Sequence, residues 1–279
     1  MNRWSMPEAV TNRVGVRHSL DGSVACITVG DGRRRNALRS EDWLGLAHLA
    51  RRLSAEETVS AVVVEGAGNN FCAGSDISEW AVSTPAAVAD SFDAMEAAMV
   101  DVEEIPVPVV AAIAGVAAGA GCQLALACDL RVLTSDARIG MPIARLGILS
   151  SPSFARRLVT VAGGASAKEL LLRGDLLTAD QALARGLATA VVPRSKLRSE
   201  VADLLCRLAE HAPSALRAAK RAVNTVTEPL VTAASAAVFG EAVDFDFFQE
   251  RVGDFLSGRK HPDPATGEPT MRPSQDRAG

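Results

Sequence analysis

The stretch Ala114–Asp129, AGVAAGAGCQLALACD, constrains this chain more than any other. It opens as a run of tiny residues with Gly115, Gly119 and Gly121 and ends in the apolar segment Leu124–Ala127. Such a run predicts a tight backbone turn feeding directly into a buried helix. The first N–H groups of a helix have no intrahelical partner and lie at the positive end of its dipole. An oxyanion or a carbonyl oxygen can be held there by backbone alone. The same residues also suit close packing with no ligand, and the stretch by itself leaves both readings open.

From Ile105 to Cys128 no residue carries a formal charge, a length that approaches a bilayer span. Pro106, Pro108, the glycines and Gln123 interrupt it, so a membrane span is rejected. Val109–Ile113 fits a strand buried on both faces instead. Of the 279 residues 48% are apolar but only 4% aromatic, and tyrosine is absent, so packing rests on small aliphatic side chains and one catalytic acid is removed from consideration. A net charge of −4 argues against nucleic acid or an anionic membrane as the main partner. Five scattered cysteines (Cys26, Cys72, Cys122, Cys128, Cys206) lack metal-ligand spacing, so no metal site is expected. They suit a reducing compartment, and the N-terminus has no apolar core of a secretory signal; the expected location is the cytoplasm.

Residues 1–12 read as a flexible arm. Val14–His18 and Val24–Val29 flank Asp21-Gly22 and predict a hairpin. Arg33, Arg34 and Arg35 then precede Asn36-Ala37-Leu38; arginines in a loop are ordinarily solvated charge. A helix follows from Ser40, carrying Trp43, Leu46, Ala47, Ala50 and Leu53 at helical spacing. Val59–Glu65 predicts a buried strand that runs into a second glycine-bearing loop, Phe71–Ile77. Thr84-Pro85 opens a helix through about Glu104. After Val109–Ile113 and the central stretch come strands at Leu130–Leu133 and around Ile139. From about Ser151 the pattern turns helical: 153–162, 165–173, 178–185 with a Thr178/Gln181 capping box, 196–211, 214–226 and 231–256. One short strand, Ala190–Val192, interrupts them. The proline-rich segment 261–279 reads as disordered.

The two glycine loops FCAGSDI (71–77) and AGVAAGAGCQLALACD (114–129), each after a buried strand, resemble the enoyl-CoA hydratase/isomerase, or crotonase, family. NAL at 36–38, PVPVVAAIAG at 106–115, RLGI at 145–148 and ELLLRGDLLTADQALARGLATAVV at 169–192 extend the resemblance over roughly residues 13–260. It implies an α/β fold: a spiral of ββα units over 13–195 and a C-terminal helical trimerisation region over 196–260, assembled as a homotrimer or a dimer of trimers. It also implies an acyl-CoA or enoyl-CoA thioester as ligand, with no separate cofactor. Carried across by position, the backbone N–H groups of Ser75 and Ala120 would form the oxyanion hole. Arg35, Ala37, Ala73, Asp76, Ile77, Gly119 and Lys260 would contact the substrate, with Arg33–Arg35 beside the CoA phosphates and Lys260 reaching the CoA of a neighbouring subunit.

The sequence departs from the family where protons move. Relatives that hydrate a double bond use two glutamates; here the first position is Gln123 and the second, directly after Pro142, is Ile143. An aspartate that other members use to shift a proton falls at Ser151. Glutamine can orient a water but exchanges no proton at neutral pH, and isoleucine does neither. Asp76 and Glu79 are near the first loop but read as structural, and Ser150, Ser151 and Ser153 have no adjacent base. The leading expectation is an acyl-CoA-binding member of the family in fatty-acid or acyl-CoA metabolism with hydratase activity absent or weak. The alternatives are an active hydratase or isomerase, and a non-catalytic acyl-CoA carrier or interaction subunit.

Overall fold

A computed structural model describes residues 4–81, 83–227 and 243–259. Along the chain come β1 (Glu8–Ala9), β2 (Val14–His18), β3 (Val24–Val29), α1 (Ser40–Ala55), β4 (Ala61–Gly66), α2 (Pro85–Glu103), β5 (Val109–Ile113), β6 (Val116–Ala118) and α3 (Ala120–Ala127). They are followed by β7 (Leu130–Thr134), β8 (Arg138–Gly140), α4 (Pro152–Arg173), β9 (Leu176–Thr178), α5 (Ala179–Ala184), β10 (Ala190–Val192), α6 (Leu197–Ala209), α7 (Pro213–Thr227) and α8 (Phe245–Ser257).

The main sheet has the order β1-β2-β3-β4-β5-β7-β10, antiparallel as far as β3 and parallel beyond it. Alternate residues of its central strands divide between two apolar layers. Val62, Val64, Val109, Ala111 and Ile113 pack with α1, α2 and α3, whereas Val63, Val110, Ala112 and Val132 pack under α6. This burial on both faces is why Val109–Ile113 reads as an unbroken apolar run.

A second, smaller sheet, β6-β8-β9, runs beside the first. Isolated bridges continue it backwards through the chain, pairing Cys72 with Ala117 and Leu38 with Ser75. The molecule therefore repeats one unit: a strand of the main sheet, a short extended segment of the second layer, then a helix. The units are β3, Leu38, α1; β4, Cys72–Ser75, α2; β5, β6, α3; and β7, β8, α4. This is the expected α/β spiral.

Several expectations change. Residues 4–12 are not a loose arm: Trp4 bridges Ser19, Glu8 and Ala9 pair with Val16 and Gly15, and Ser5 exchanges hydrogen bonds with His18. The central stretch is not a bare turn before a helix, because β6 lies between Gly115 and Gly119. A helix over 231–256 is not continuous: Val243 bridges Ile148, Asp244 caps α8, and 228–242 lie outside the described residues. The strand β9 is not among the expected ones; it lies between the segments read as helical at 165–173 and 178–185 and is defined by its pairing with the distant β8. The break between 153–162 and 165–173 falls at Gly163, whose φ of 76° interrupts α4. Thr178 and Gln181 form the expected capping box. The tail 261–279 and Lys260 lie outside the described residues. Among those residues no helix is long and apolar enough to cross a membrane, and no cluster of His, Cys, Asp or Glu could hold a metal ion.

Candidate active site

The spiral sets successive second-layer segments side by side, and this brings the two glycine loops together. Cys72 N–H donates to the Val116 carbonyl at 2.9 Å and the Cys72 carbonyl accepts from Ala118 at 3.0 Å. On its other side the first loop bonds to Leu38, through Leu38 N–H to Gly74 O (2.9 Å) and Asp76 N–H to Leu38 O (2.7 Å). In a parallel bridge of this kind the N–H of the residue between, Ser75, points away from Leu38. That is the side on which α3 begins. Gly74 has φ 98°, and a Cβ there would lie 2.8 Å from Ala118 O, 3.1 Å from Ala120 N and 3.6 Å from Gly121 N. Gly121 is equally confined, since its Cβ would collide with the Cys72 carbonyl.

Ser75 and Ala120, paired by resemblance alone, are thus neighbours. Neither amide N–H donates to a backbone carbonyl among the described residues. Gly119 caps α3 with φ 54°, and its carbonyl accepts from Gln123 N–H, so Ala120 is the first residue of a helix whose eight residues are all buried. The Ser75 hydroxyl is turned inward, accepting from Trp43 Nε1 at 3.1 Å with Met95 Sδ at 3.8 Å. That leaves the main chain as what Ser75 presents to the gap.

The two positions of expected proton transfer carry no ionisable group. Gln123 is fully buried; its Nε2 donates to the Phe154 carbonyl (3.3 Å) and contacts Met141 Sδ (3.6 Å). Its Oε1 has no hydrogen-bond partner among the described residues, and neither has the buried Ser150 Oγ. Ile143 belongs to a short 3-10 turn, Pro142–Leu146, and is buried in the main core. Ser151 caps α4, its hydroxyl accepting from Phe154 N–H at 3.2 Å.

Nearby carboxylates are engaged elsewhere. Asp76, buried, takes hydrogen bonds from Arg34 (2.9 and 3.1 Å) and Ser78, with Arg13 at 3.5 Å and Arg39 at 3.8 Å. Burial pushes its carboxyl up, but the Ser78 hydrogen bonds and the Arg34 guanidinium outweigh that and hold it below its ordinary value. Asp76 is therefore held by three segments and ties the first glycine loop to Arg34, Arg13 and Arg39. Glu79 accepts from Ser40 N–H and Oγ at the start of α1. Glu96 and Glu103 both clasp Arg157, which is fully buried.

Of the remaining expected contacts, Ala73 N–H is committed to Arg35 O (2.9 Å) and Ala37 O accepts from Arg13 (2.7 Å). Ile77 packs against the core. The Arg33 and Arg35 side chains are exposed beside Ala37. Asn36 holds this region together: its Nδ2 donates to the carbonyls of Ala67, Asn70 and Phe71, and its Oδ1 accepts from Gly32 N–H. Arg34, Arg35 and Asn36 all have φ between 46° and 60°, where asparagine is tolerated better than most residues. Sequence reading quoted Asn36 only as part of a motif and missed its clamp; an asparagine directly after a run of arginines in a loop was the available signal.

Cys72 and Cys122 are buried beside the gap, and loss of solvent pushes each thiol up to about 12. A cavity of about 430 Å³ lies at the far end of α3, between Leu126–Arg131, α4 and α7, and none of the expected site residues lines it.

Comparison with known proteins identifies the family. The family model described as enoyl-CoA hydratase/isomerase matches residues 19–261. A short-chain-enoyl-CoA hydratase of Clostridium acetobutylicum is 30% identical over 244 residues, covering 86% of this chain and 94% of the relative. A 2,3-dehydroadipyl-CoA hydratase of Escherichia coli is 32% identical over 76% of this chain and 83% of its own length. Among solved structures, an enoyl-CoA hydratase from Mycobacterium avium subsp. paratuberculosis superposes with a TM-score of 0.79 at 25% identity, covering 94% of this chain and 99% of that one. An enoyl-CoA hydratase/carnithine racemase from Magnetospirillum magneticum gives 0.74 at 29% identity, with 98% of each chain covered. With the family model spanning most of the chain and the two glycine loops joined as described, the protein belongs to the enoyl-CoA hydratase/isomerase family.

Proposed function

We propose that the chain binds an acyl-CoA or enoyl-CoA thioester in acyl-CoA metabolism and has little or no hydratase activity. The observation that carries this reading is the pair of uncommitted amides at Ser75 and Ala120, with the buried Gln123 and Ile143, neither of them ionisable, at the two positions expected to move protons. A thioester oxygen between the two N–H groups accepts both hydrogen bonds and is polarised by them. Negative charge developing on it lies at the positive end of α3, where one such donor is worth about 3–4 kcal/mol in a transition state. The α-carbon is thereby acidified, but the site lacks a group to take or give the proton. Gln123 Oε1 accepts a hydrogen bond from a water or a hydroxyl without exchanging protons.

In this reading Arg33 and Arg35, which are exposed beside Ala37, meet the CoA phosphates, and Lys260 is a contact from a neighbouring subunit, as the family resemblance implies. The assembly in this reading is a homotrimer or a dimer of trimers in the cytoplasm; the exposed Val223 and Val226 of α7 suit a contact between copies. The second reading, an active hydratase or isomerase, is favoured by the names of the relatives. A carrier subunit that presents acyl-CoA to a partner enzyme needs only the binding half.

Calorimetric titration with a saturated acyl-CoA and its trans-2-enoyl counterpart, beside a direct assay for loss of the enoyl double bond, separates them. Binding with no turnover is the expected result. Turnover at rates typical of hydratases would overturn the proposal in favour of the second reading, and absence of binding would overturn both.

A further inference from the structure

One turn into α3 from Ala120, Gln123 is hydrogen-bonded to the carbonyl of Phe154. The Phe154 ring lies 6.5 Å from that of Phe92 on α2. Phe92 stacks on Trp80 with centroids 5.4 Å and planes 16° apart, and Trp80 meets Phe248 of α8 at 5.5 Å. In a chain with three Trp, eight Phe and no Tyr, four rings from four separate segments converge, and one of the four residues, Phe154, bears the carbonyl that holds Gln123.

The rings are fixed. Trp80 Nε1 donates to Ser91 Oγ at 3.0 Å, and the Gln249 amide donates to the Trp80 carbonyl at 3.1 Å. Trp80, Phe154 and Phe248 are 4%, 4% and 0% exposed, and only Phe92 is partly open. Centroid separations of this size are ring-on-ring contact, which leaves no channel between them for an alkyl chain. Met95, one turn from Phe92 on α2, contacts the Ser75 hydroxyl, and Gln123, in the first turn of α3 with Ala120, bonds to Phe154, so one residue on each side links the amides to the ring cluster.

We infer that Trp80, Phe92, Phe154 and Phe248 form a stop that limits the site to short acyl thioesters, acetyl to butyryl. This rests on the reading of Ser75 and Ala120 as the thioester anchor. An acyl group held there and directed past Gln123 meets the Phe92–Phe154 contact within a few carbons. A longer chain has to separate stacked rings or leave its end in water, and so forgoes about fourfold in affinity for each methylene that finds no apolar space.

The test is titration of the full chain with acetyl-, butyryl-, octanoyl- and palmitoyl-CoA, repeated on Phe92→Ala and Phe92→Leu. Phe92 is the ring whose loss disturbs the core least. In the unaltered chain octanoyl- and palmitoyl-CoA are expected to bind no tighter than butyryl-CoA, against the rise of about fourfold per methylene that an open apolar channel would give. Phe92→Ala is expected to recover about tenfold for octanoyl-CoA while butyryl-CoA changes by less than about threefold, with Phe92→Leu between. Affinity that rises about tenfold or more from butyryl to octanoyl in the unaltered chain overturns the stop and leaves the anchor standing. So does an unchanged length profile in a folded Phe92 variant. If Phe92→Ala does not fold, the unaltered profile and Phe92→Leu still decide. No affinity for any of the four thioesters overturns the anchor, and the stop with it.

Discussion

Replacing Gly74 by alanine adds one methyl group at the point where the two glycine loops meet. Its Cβ would stand 2.8 Å from Ala118 O and 3.1 Å from Ala120 N, both main-chain atoms, so the loops have to part by several tenths of an ångström. The positive φ of 98° adds about 1–3 kcal/mol of backbone strain for any L-residue. The two amides then no longer converge on one oxygen. Comparing an acyl-CoA with the thioether analogue that lacks the carbonyl oxygen isolates this contact from everything else CoA touches. Two backbone hydrogen bonds at about 0.5–1.5 kcal/mol each predict a thioester preference of about 5- to 150-fold in the unaltered chain. In Gly74→Ala the preference should fall to within about threefold of unity, while thioether affinity is largely kept. Gly68→Ala is the control, with φ 67° but its nearest neighbour 4.0 Å away. It should lower the melting temperature and leave the preference intact. A Gly74→Ala protein that melts as the control does yet keeps the full thioester preference would refute the placement of the anchor.

Three further outcomes are expected. Asn36→Ala strips three carbonyls, that of Phe71 buried, and one N–H of their partner and should cost about 2 kcal/mol or more in urea denaturation; a loss below about 1 kcal/mol would show that water replaces the clamp. Asp76 is held below its ordinary value of 3.8, so the stability it contributes is complete above that pH and disappears as the pH falls through the folded value. Asp76→Asn should lower stability by about 1–3 kcal/mol at neutral pH and flatten the acid limb of the stability–pH curve, and an unchanged limb would exclude Asp76 as its source. Gln123→Glu alone should lose stability and gain no hydration, since a carboxylate cannot donate to the Phe154 carbonyl. Gln123→Glu with Ile143→Glu should create hydration of an enoyl-CoA if only those two groups are missing, and a double variant that binds without hydrating would locate the deficit elsewhere.

The parts of this molecule that follow from local pattern were legible from the residues. Val14–His18, Val24–Val29 and Ala190–Val192 occupy the expected ranges because alternation and bounding turns are properties of a few neighbours. The pairing of Ser75 with Ala120 was not derivable that way; it came from family resemblance, and its physical cause is the register Cys72–Ala117, which joins residues 45 positions apart. The carboxylate environment of Asp76 has the same origin, since Arg13, Arg34 and Arg39 reach it from different segments. The edge strand near Glu8 was hidden because an edge needs no apolar face to pair. The four-ring cluster was invisible for a third reason: Trp80, Phe92, Phe154 and Phe248 share no period and meet only once the helices are docked.

Cys72 lies in the loop whose amides face the gap, and its sulfur donates to the Asn36 carbonyl at 3.2 Å. With its ionisation pushed up to about 12 by burial, the thiol stays protonated at neutral pH. A thioester held at Ser75 and Ala120 would ordinarily be at risk from so close a sulfur, because acyl groups pass readily between thiolates. Burial removes the attacking species. An activated acyl group bound as proposed would then sit beside a cysteine without acylating it, and alkylating reagents should leave Cys72 untouched while modifying the exposed Cys206.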